Sequence, residues 1–119
     1  RADVGRAGDD LAAAREVRRD GPEWVVVSLG AEGVLAVGER TLRVDGLRVE
    51  AVNPVGCGDV LAGLLAAALA TGLAMDEALA LAVSASAAAA AHPETGCFDP
   101  ELAASLRPTV TLIELEDPS

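Results

Sequence analysis

At 119 residues the chain has room for one domain, and an apolar content of 51% permits a core, but only 2% of its residues are aromatic, so that core must be built from small aliphatic side chains. Nine arginines, no lysine and 19 acids give a formal net charge of −10, which excludes a nucleic-acid partner held by its phosphate backbone. A small phosphate ligand is not excluded, because backbone amides can hold an anion without side-chain charge.

In chain order, a helix is expected from Asp9 or Asp10 to Arg19, with acids at its start, Arg18 and Arg19 at its negative end, and Asp20-Gly21-Pro22 stopping it. EWVVVSL, 23–29, is β-branched and bounded by Pro22 and Gly30, the pattern of a buried strand. GVLAVG, 33–38, reads as a second strand, with GAEG as the tight turn between the two. RTLRVDG predicts a short edge strand turning at Asp45-Gly46, and the alternating LRVEAV, 47–52, a further strand. From Gly58 or Asp59 to Thr71 the Ala/Leu pattern predicts a helix closed by Gly72. A second runs from Asp76 or Glu77 to Ala91 and stops at His92-Pro93. DPELAASL, 99–106, predicts a short helix with Asp99 as cap and Pro100 at its first position. TVTLIEL, 109–115, closes as a strand. The order is that of an α/β domain.

The apolar stretch 60–75 is 16 residues long, interrupted by Gly72 and flanked by Asp59 and Asp76, so a buried helix of a soluble domain is expected and not a membrane span. Cys57 and Cys97 have neither metal spacing nor a disulfide framework, which predicts a reduced, cytoplasmic chain. The opening RADVGRAGDD has no apolar signal segment, and its lack of an initiator methionine leads to the expectation of a fragment.

Chemistry concentrates in two glycine loops. In NPVGCGD, 53–59, Pro54 stiffens the strand exit and Gly56 and Gly58 permit close backbone approach just where a helix begins. The unpaired first N–H groups of that helix, with the loop amides and the helix dipole, form a cradle for an anion. Asp59 on its lip would repel a resident anion but suits a transferring phosphoryl group, where it would take the proton of the attacking hydroxyl. The alternative is a glycine-lined turn with Asp59 as helix N-cap. The loop is not a dinucleotide fingerprint, since Leu61 occupies the third glycine position, and not a P-loop, since Leu64 stands where lysine is required. In SLGAEG, 28–33, the Ser28 hydroxyl and the Gly30 to Gly33 amides could line a phosphate chain; the alternative is a plain hairpin turn. His92 reads as a helix-end residue, since no second ligand accompanies it. Cys57 reads as loop packing, and Trp24 and Phe98 as core or pocket wall.

Taken together, SLGAEG followed by NPVGCGD, with the tail HPETGCFDPELAASLRPTV, resembles the PfkB/ribokinase family of carbohydrate kinases over nearly the whole chain. The resemblance implies the C-terminal, nucleotide-binding portion of a ribokinase-like (Rossmann-like) α/β sheet layered by helices. The sugar-binding N-terminal part is absent from residues 1–119. It implies Asp59 as catalytic base, Gly56, Cys57 and Gly58 as the anion hole, and Ser28, Gly30, Ala31, Glu32 and Gly33 along the ATP phosphates. Val83, near Ser84 and Ala87, falls at the adenine pocket. Cys57 departs from the usual alanine, but its backbone N–H is unchanged. Implied partners are ATP with Mg2+ and a sugar or sugar phosphate, with no nucleic acid and no membrane, and a homodimer is compatible with the full-length parent. VVVSLGAEGVLAV and PETG resemble the branch that phosphorylates hexose phosphates, such as 1-phosphofructokinase and tagatose-6-phosphate kinase. By the same resemblance RAD, 1–3, is the end of a truncated Asn-x-x-Glu magnesium motif, with Asp3 as its acid. Two rival readings stand beside this one: a truncated, non-catalytic nucleotide-binding module, and a dinucleotide-dependent oxidoreductase, which the missing third glycine disfavours.

Overall fold

A computed structural model of the chain describes residues 11–16, 24–29, 32–47, 49–53 and 55–115. Asp3, Gly30, Ala31 and the two ends of the first expected helix lie outside the described residues; its middle, residues 11–16, is helical (α1). Three strands follow, β1 (Val25–Ser28), β2 (Gly33–Val37) and β3 (Thr41–Asp45). Then come helices α2 (Cys57–Ala70), α3 (Met75–Ala90) and α4 (Pro100–Leu106), a 3-10 turn at Arg107–Thr109, and β4 (Leu112–Leu115).

The strands make one sheet in the order β1-β2-β3-β4, and each of its pairings is antiparallel. β2 is buried along its whole length because both of its faces are covered. Val34 and Ala36, with Leu42 and Val44 beside them on β3, point at α2 and α3, where Leu61, Leu65, Ala78, Leu79 and Ala82 complete the core. Leu35 and Val37 point the other way and pack with Ala14 of α1 and Leu29. Period-two alternation on a strand covered twice therefore yields a continuous apolar run. Leu42, Val44 and Leu79 are fully buried, and side chains of this kind each contribute roughly 1.5–3 kcal/mol.

The alanines of α3 let it be buried on two sides. One side meets the sheet and α2, while Ala85 and Ala88 pack on Ala103 of α4, with Phe98 alongside. α2 ends in a Schellman motif: Leu73 N–H donates to Ala68 O (3.2 Å) and Gly72 N–H to Leu69 O (3.1 Å), with Gly72 at φ 96°. α4 begins as expected, the Asp99 carboxylate accepting from Glu101 N–H (3.0 Å) with Pro100 in the first turn. Trp24 packs on the helix-facing core and lies over Gly38, where a Cβ would come within 2.5 Å of its ring.

Three expectations fail here. EWVVVSL is not a buried strand: β1 is at the edge of the sheet, with Val25–Val27 half-buried and Ser28 exposed. RTLRVDG is not an edge strand: β3 is interior, because β4 returns to pair with it from Leu112↔Val44 to Leu115↔Thr41. β4 takes that side of β3, and the described residues of 47–52 form no ladder. It runs instead to the end of α3, where Val52 N–H and Asn53 N–H both donate to Ala90 O (2.8 and 2.9 Å).

Candidate functional site

The loops at the ends of β1, β3 and α3 and the start of α2 surround a cavity of about 330 Å³. Its floor is the first turn of α2, with Cys57, Gly58 and Leu61. One wall is the face of α3 carrying Val83, Ser86, Ala87 and Ala90. Leu47, Val49 and Ala51 line the opposite wall, so the alternation that predicted a strand at 47–52 serves to present one apolar face to the cavity. Ser28, exposed at the end of β1, and Gly33 reach the cavity from the first glycine loop. A mostly aliphatic cleft with few polar groups suits a flat, partly apolar ligand with a charged end.

That first loop is fixed by the protein. Leu29 N–H donates to Gly33 O (2.8 Å), Glu32 N–H to Leu29 O (3.3 Å), and Gly46 N–H to Glu32 O (3.0 Å), which fastens the turn to the end of β3. Gly33 sits at φ 119°, and a Cβ there would overlap the Val44 carbonyl oxygen. Glu32 belongs to this turn and is not among the cavity-lining residues.

The second loop is braced by the segment after α3. Asn53 Nδ2 donates to Pro93 O (3.2 Å) and Thr95 Oγ1 (2.9 Å), while its Oδ1 accepts from Val55 N–H (3.2 Å). Gly56 is the residue before α2, at φ 87°, and a Cβ on it would stand 2.9 Å from Gly96 N. Around Gly58, by contrast, a Cβ would meet nothing within 4 Å. The N–H groups of Cys57, Gly58 and Asp59 belong to the first turn and have no acceptor within the helix.

Asp59 is exposed in that first turn. No side chain caps α2, and Asp59 makes no hydrogen bond or ion pair among the described residues, so the capping alternative for this acid is removed. It stands beside the cavity floor without lining it. Val83 and Ala87 line the cavity; Ser84 does not, being buried with its hydroxyl on Leu81 O (2.9 Å). His92 keeps a helix-end role, its Nδ1 accepting from Glu94 N–H (3.0 Å). Trp24 and Phe98 pack in the core and do not line the cavity.

Sequence reasoning missed Asn53, Ser86 and Ala90. Asn53 was visible only as the first letter of its motif, and its reach to Pro93 and Thr95 depends on a contact far along the chain. Ser86 was legible as a polar residue breaking an alanine run, but which neighbour it served was not.

No group of three or more His, Cys, Asp or Glu that could hold a metal ion occurs among the described residues. No helix among them is long and apolar enough to cross a membrane. Away from the cavity, Arg40 bridges Asp76 (3.0 Å) and Glu114 (3.2 Å). The hydrogen bond from Arg40 lowers the pKa of Asp76, and that of Arg40 is correspondingly raised.

The family model for pfkB family carbohydrate kinase matches residues 4–101. Among solved structures the chain is similar to phosphofructokinase-2 from Escherichia coli, at 29% identity and a TM-score of 0.78, covering 85% of this chain and 33% of that one. It is also similar to ribokinase from Thermotoga maritima, at 28% identity and a TM-score of 0.71, covering 79% and 33%. A Staphylococcus aureus structure assigned as a phosphofructokinase shares the fold, with 24% identity, a TM-score of 0.82, and coverage of 92% and 35%. The chain thus spans about a third of the length of these solved chains.

Proposed function

The chain belongs to the pfkB family of carbohydrate kinases, and on that premise we propose that it supplies the nucleotide-binding, C-terminal part of an enzyme that transfers the γ-phosphoryl group of ATP to a sugar or sugar-phosphate hydroxyl. One observation carries the reading. The floor of the cavity is a helix start with unpaired N–H groups and an open Gly58, and next to it stands an acid with no partner among the described residues.

In this reading the aliphatic walls from Val49 and Val83 take the base of the nucleotide, and Ser28 with the Gly30–Gly33 turn, including Ala31 and Glu32, flanks its phosphates. The N–H groups of the Gly56–Gly58 segment receive the negative charge of the transferring group, where preorganised donors matter most. Asp59 accepts the proton of the attacking hydroxyl as the new oxygen–phosphorus bond forms and ADP departs. Among the described residues nothing binds its oxygens, which leaves them available for that task.

The described residues gather no carboxylate cluster for a metal of their own. In this reading magnesium enters with the nucleotide, as part of the Mg-ATP substrate. The acceptor we propose is a hexose phosphate, of the kind used by 1-phosphofructokinases, a choice that the phosphofructokinase-2 neighbours support. The two free cysteines support a cytoplasmic setting. A tetrameric form of the Escherichia coli phosphofructokinase-2 supports an assembly of copies for the complete protein, for which we propose a homodimer.

The test is Asp59→Asn in the complete gene product, assayed with Mg-ATP and fructose 1-phosphate, fructose 6-phosphate, tagatose 6-phosphate and ribose in turn. Turnover should fall by about 10²–10⁴ on the accepted sugar, with nucleotide binding and melting temperature held. Parental turnover would make Asp59 a surface acid. A second reading is a non-catalytic nucleotide-binding module of the same fold. ATP binding without transfer to any of the four acceptors would support it.

A further inference from the structure

We propose that Ser86 is a positioning residue for the anion cradle, holding the Gly58 N–H in its working direction; the inference rests on the phosphoryl-transfer reading above. The Ser86 hydroxyl donates to the carbonyl oxygen of Cys57 at 3.0 Å, across 29 residues of sequence and from α3 to α2. Its behaviour differs from that of other helical hydroxyls in the chain. Thr71 bonds back to Ala68 O, Ser84 to Leu81 O and Ser105 to Leu102 O, each three residues behind on its own helix. That back-bond is the usual resting place of a mid-helix hydroxyl. Ser86 gives it up to reach another element.

The acceptor it reaches matters. The Cys57 carbonyl and the Gly58 N–H are two ends of one trans peptide unit, so the two groups point in opposite directions. A donor fixed behind the carbonyl fixes the N–H in front. Gly58 N–H is a first-turn group without an acceptor in the helix, and Gly58 lines the cavity. A hydrogen bond to the carbonyl also polarises the peptide and strengthens its N–H as a donor.

The experiment compares Ser86→Ala, Ser86→Thr and Ser86→Val in the complete gene product, with Mg-ATP and the sugar phosphate that it accepts. Threonine and valine have the same shape and differ in the hydroxyl, so their ratio reads the hydrogen bond whatever the added methyl does. Removing a whole oxyanion donor costs about 10²–10³ in turnover, so a donor left in place but loosened should lose about five- to twentyfold. Ser86→Ala and Ser86→Val should show that fall in kcat, with KM for ATP and melting temperature little changed, and Ser86→Thr should retain parental kcat. Parental kcat in the alanine variant would overturn the inference, as would a rise in KM alone, or equal kcat in the threonine and valine variants. Asp59→Asn in the same assay separates the two levels. If it is inactive while the Ser86 variants are parental, only the positioning role fails; if it turns over at the parental rate, the phosphoryl-transfer reading fails and this role with it.

Discussion

At the β1–β2 turn a side chain on Gly33 would run into the Val44 carbonyl oxygen, and at the head of α2 a side chain on Gly58 would stand in open space. Both glycines line the same cavity. Gly33 is required by the protein itself, since the turn is fastened to β3 and its φ of 119° is one that other residues rarely adopt. Nothing in the described fold requires Gly58. A glycine that the fold does not need, on the floor of a cleft, is explained by what must approach it. Gly56 falls with Gly33, because the neighbouring Gly96 backbone leaves no room for a Cβ.

The sharpest way to break this comparison is Gly58→Val. It should leave the melting temperature of the chain nearly unchanged while lowering kcat/KM of the complete gene product by about 10²-fold or more, since a side chain would block the amide approach. A stable variant with parental kinetics would put Gly58 with the ordinary surface glycines. Gly33→Ala should do the reverse and act on stability first. Backbone strain and overlap with a fixed carbonyl predict a loss of about 2–4 kcal/mol, measured by denaturant unfolding. Cys57→Ala lies between them in position and below both in effect, because only its backbone faces the proposed chemistry. Turnover should change by less than about threefold.

The smallest effect is expected from the Arg40 cluster, which lies apart from both turns. Asp76 has its pKa lowered in the folded state, so its ion pair contributes stability above the unfolded carboxyl pKa and loses it as pH falls through the folded value. Arg40→Gln should flatten that acid limb slightly, and both groups are exposed enough for solvent to screen most of the interaction. Thermal melts from neutral pH into the carboxylate range would show it, and an unchanged limb would mean that the pair contributes nothing.

How much of this could be read from sequence depended on whether the deciding contact was local. The helices α2, α3 and α4 were legible within two residues at each end, because Ala/Leu periodicity, Gly72, Asp99 and Pro100 act within a turn of their own positions. The hairpin of β1 and β2 was legible for the same reason. The place of β3 was not, since its second neighbour is β4, and the fate of 47–52 followed from that one distant pairing. At the site, the two glycine loops were legible as loops and their convergence came from the resemblance. The bracing of Asn53 on Pro93 and Thr95, and of Ser86 on Cys57, joins residues too far apart in the chain for any local pattern to register.

The late return of β4 also bears on synthesis. From Asp45 to Leu112 the ribosome must add the whole helical excursion before β3 gains its second partner. At typical elongation rates of about 5–20 residues per second this leaves the backbone of β3 unpaired on one side for roughly 3–13 s. An open strand edge is a template for intermolecular pairing. The β3 edge stays open throughout that interval, and the pairing of β4 then covers it and moves the outer edge of the sheet to β4 itself.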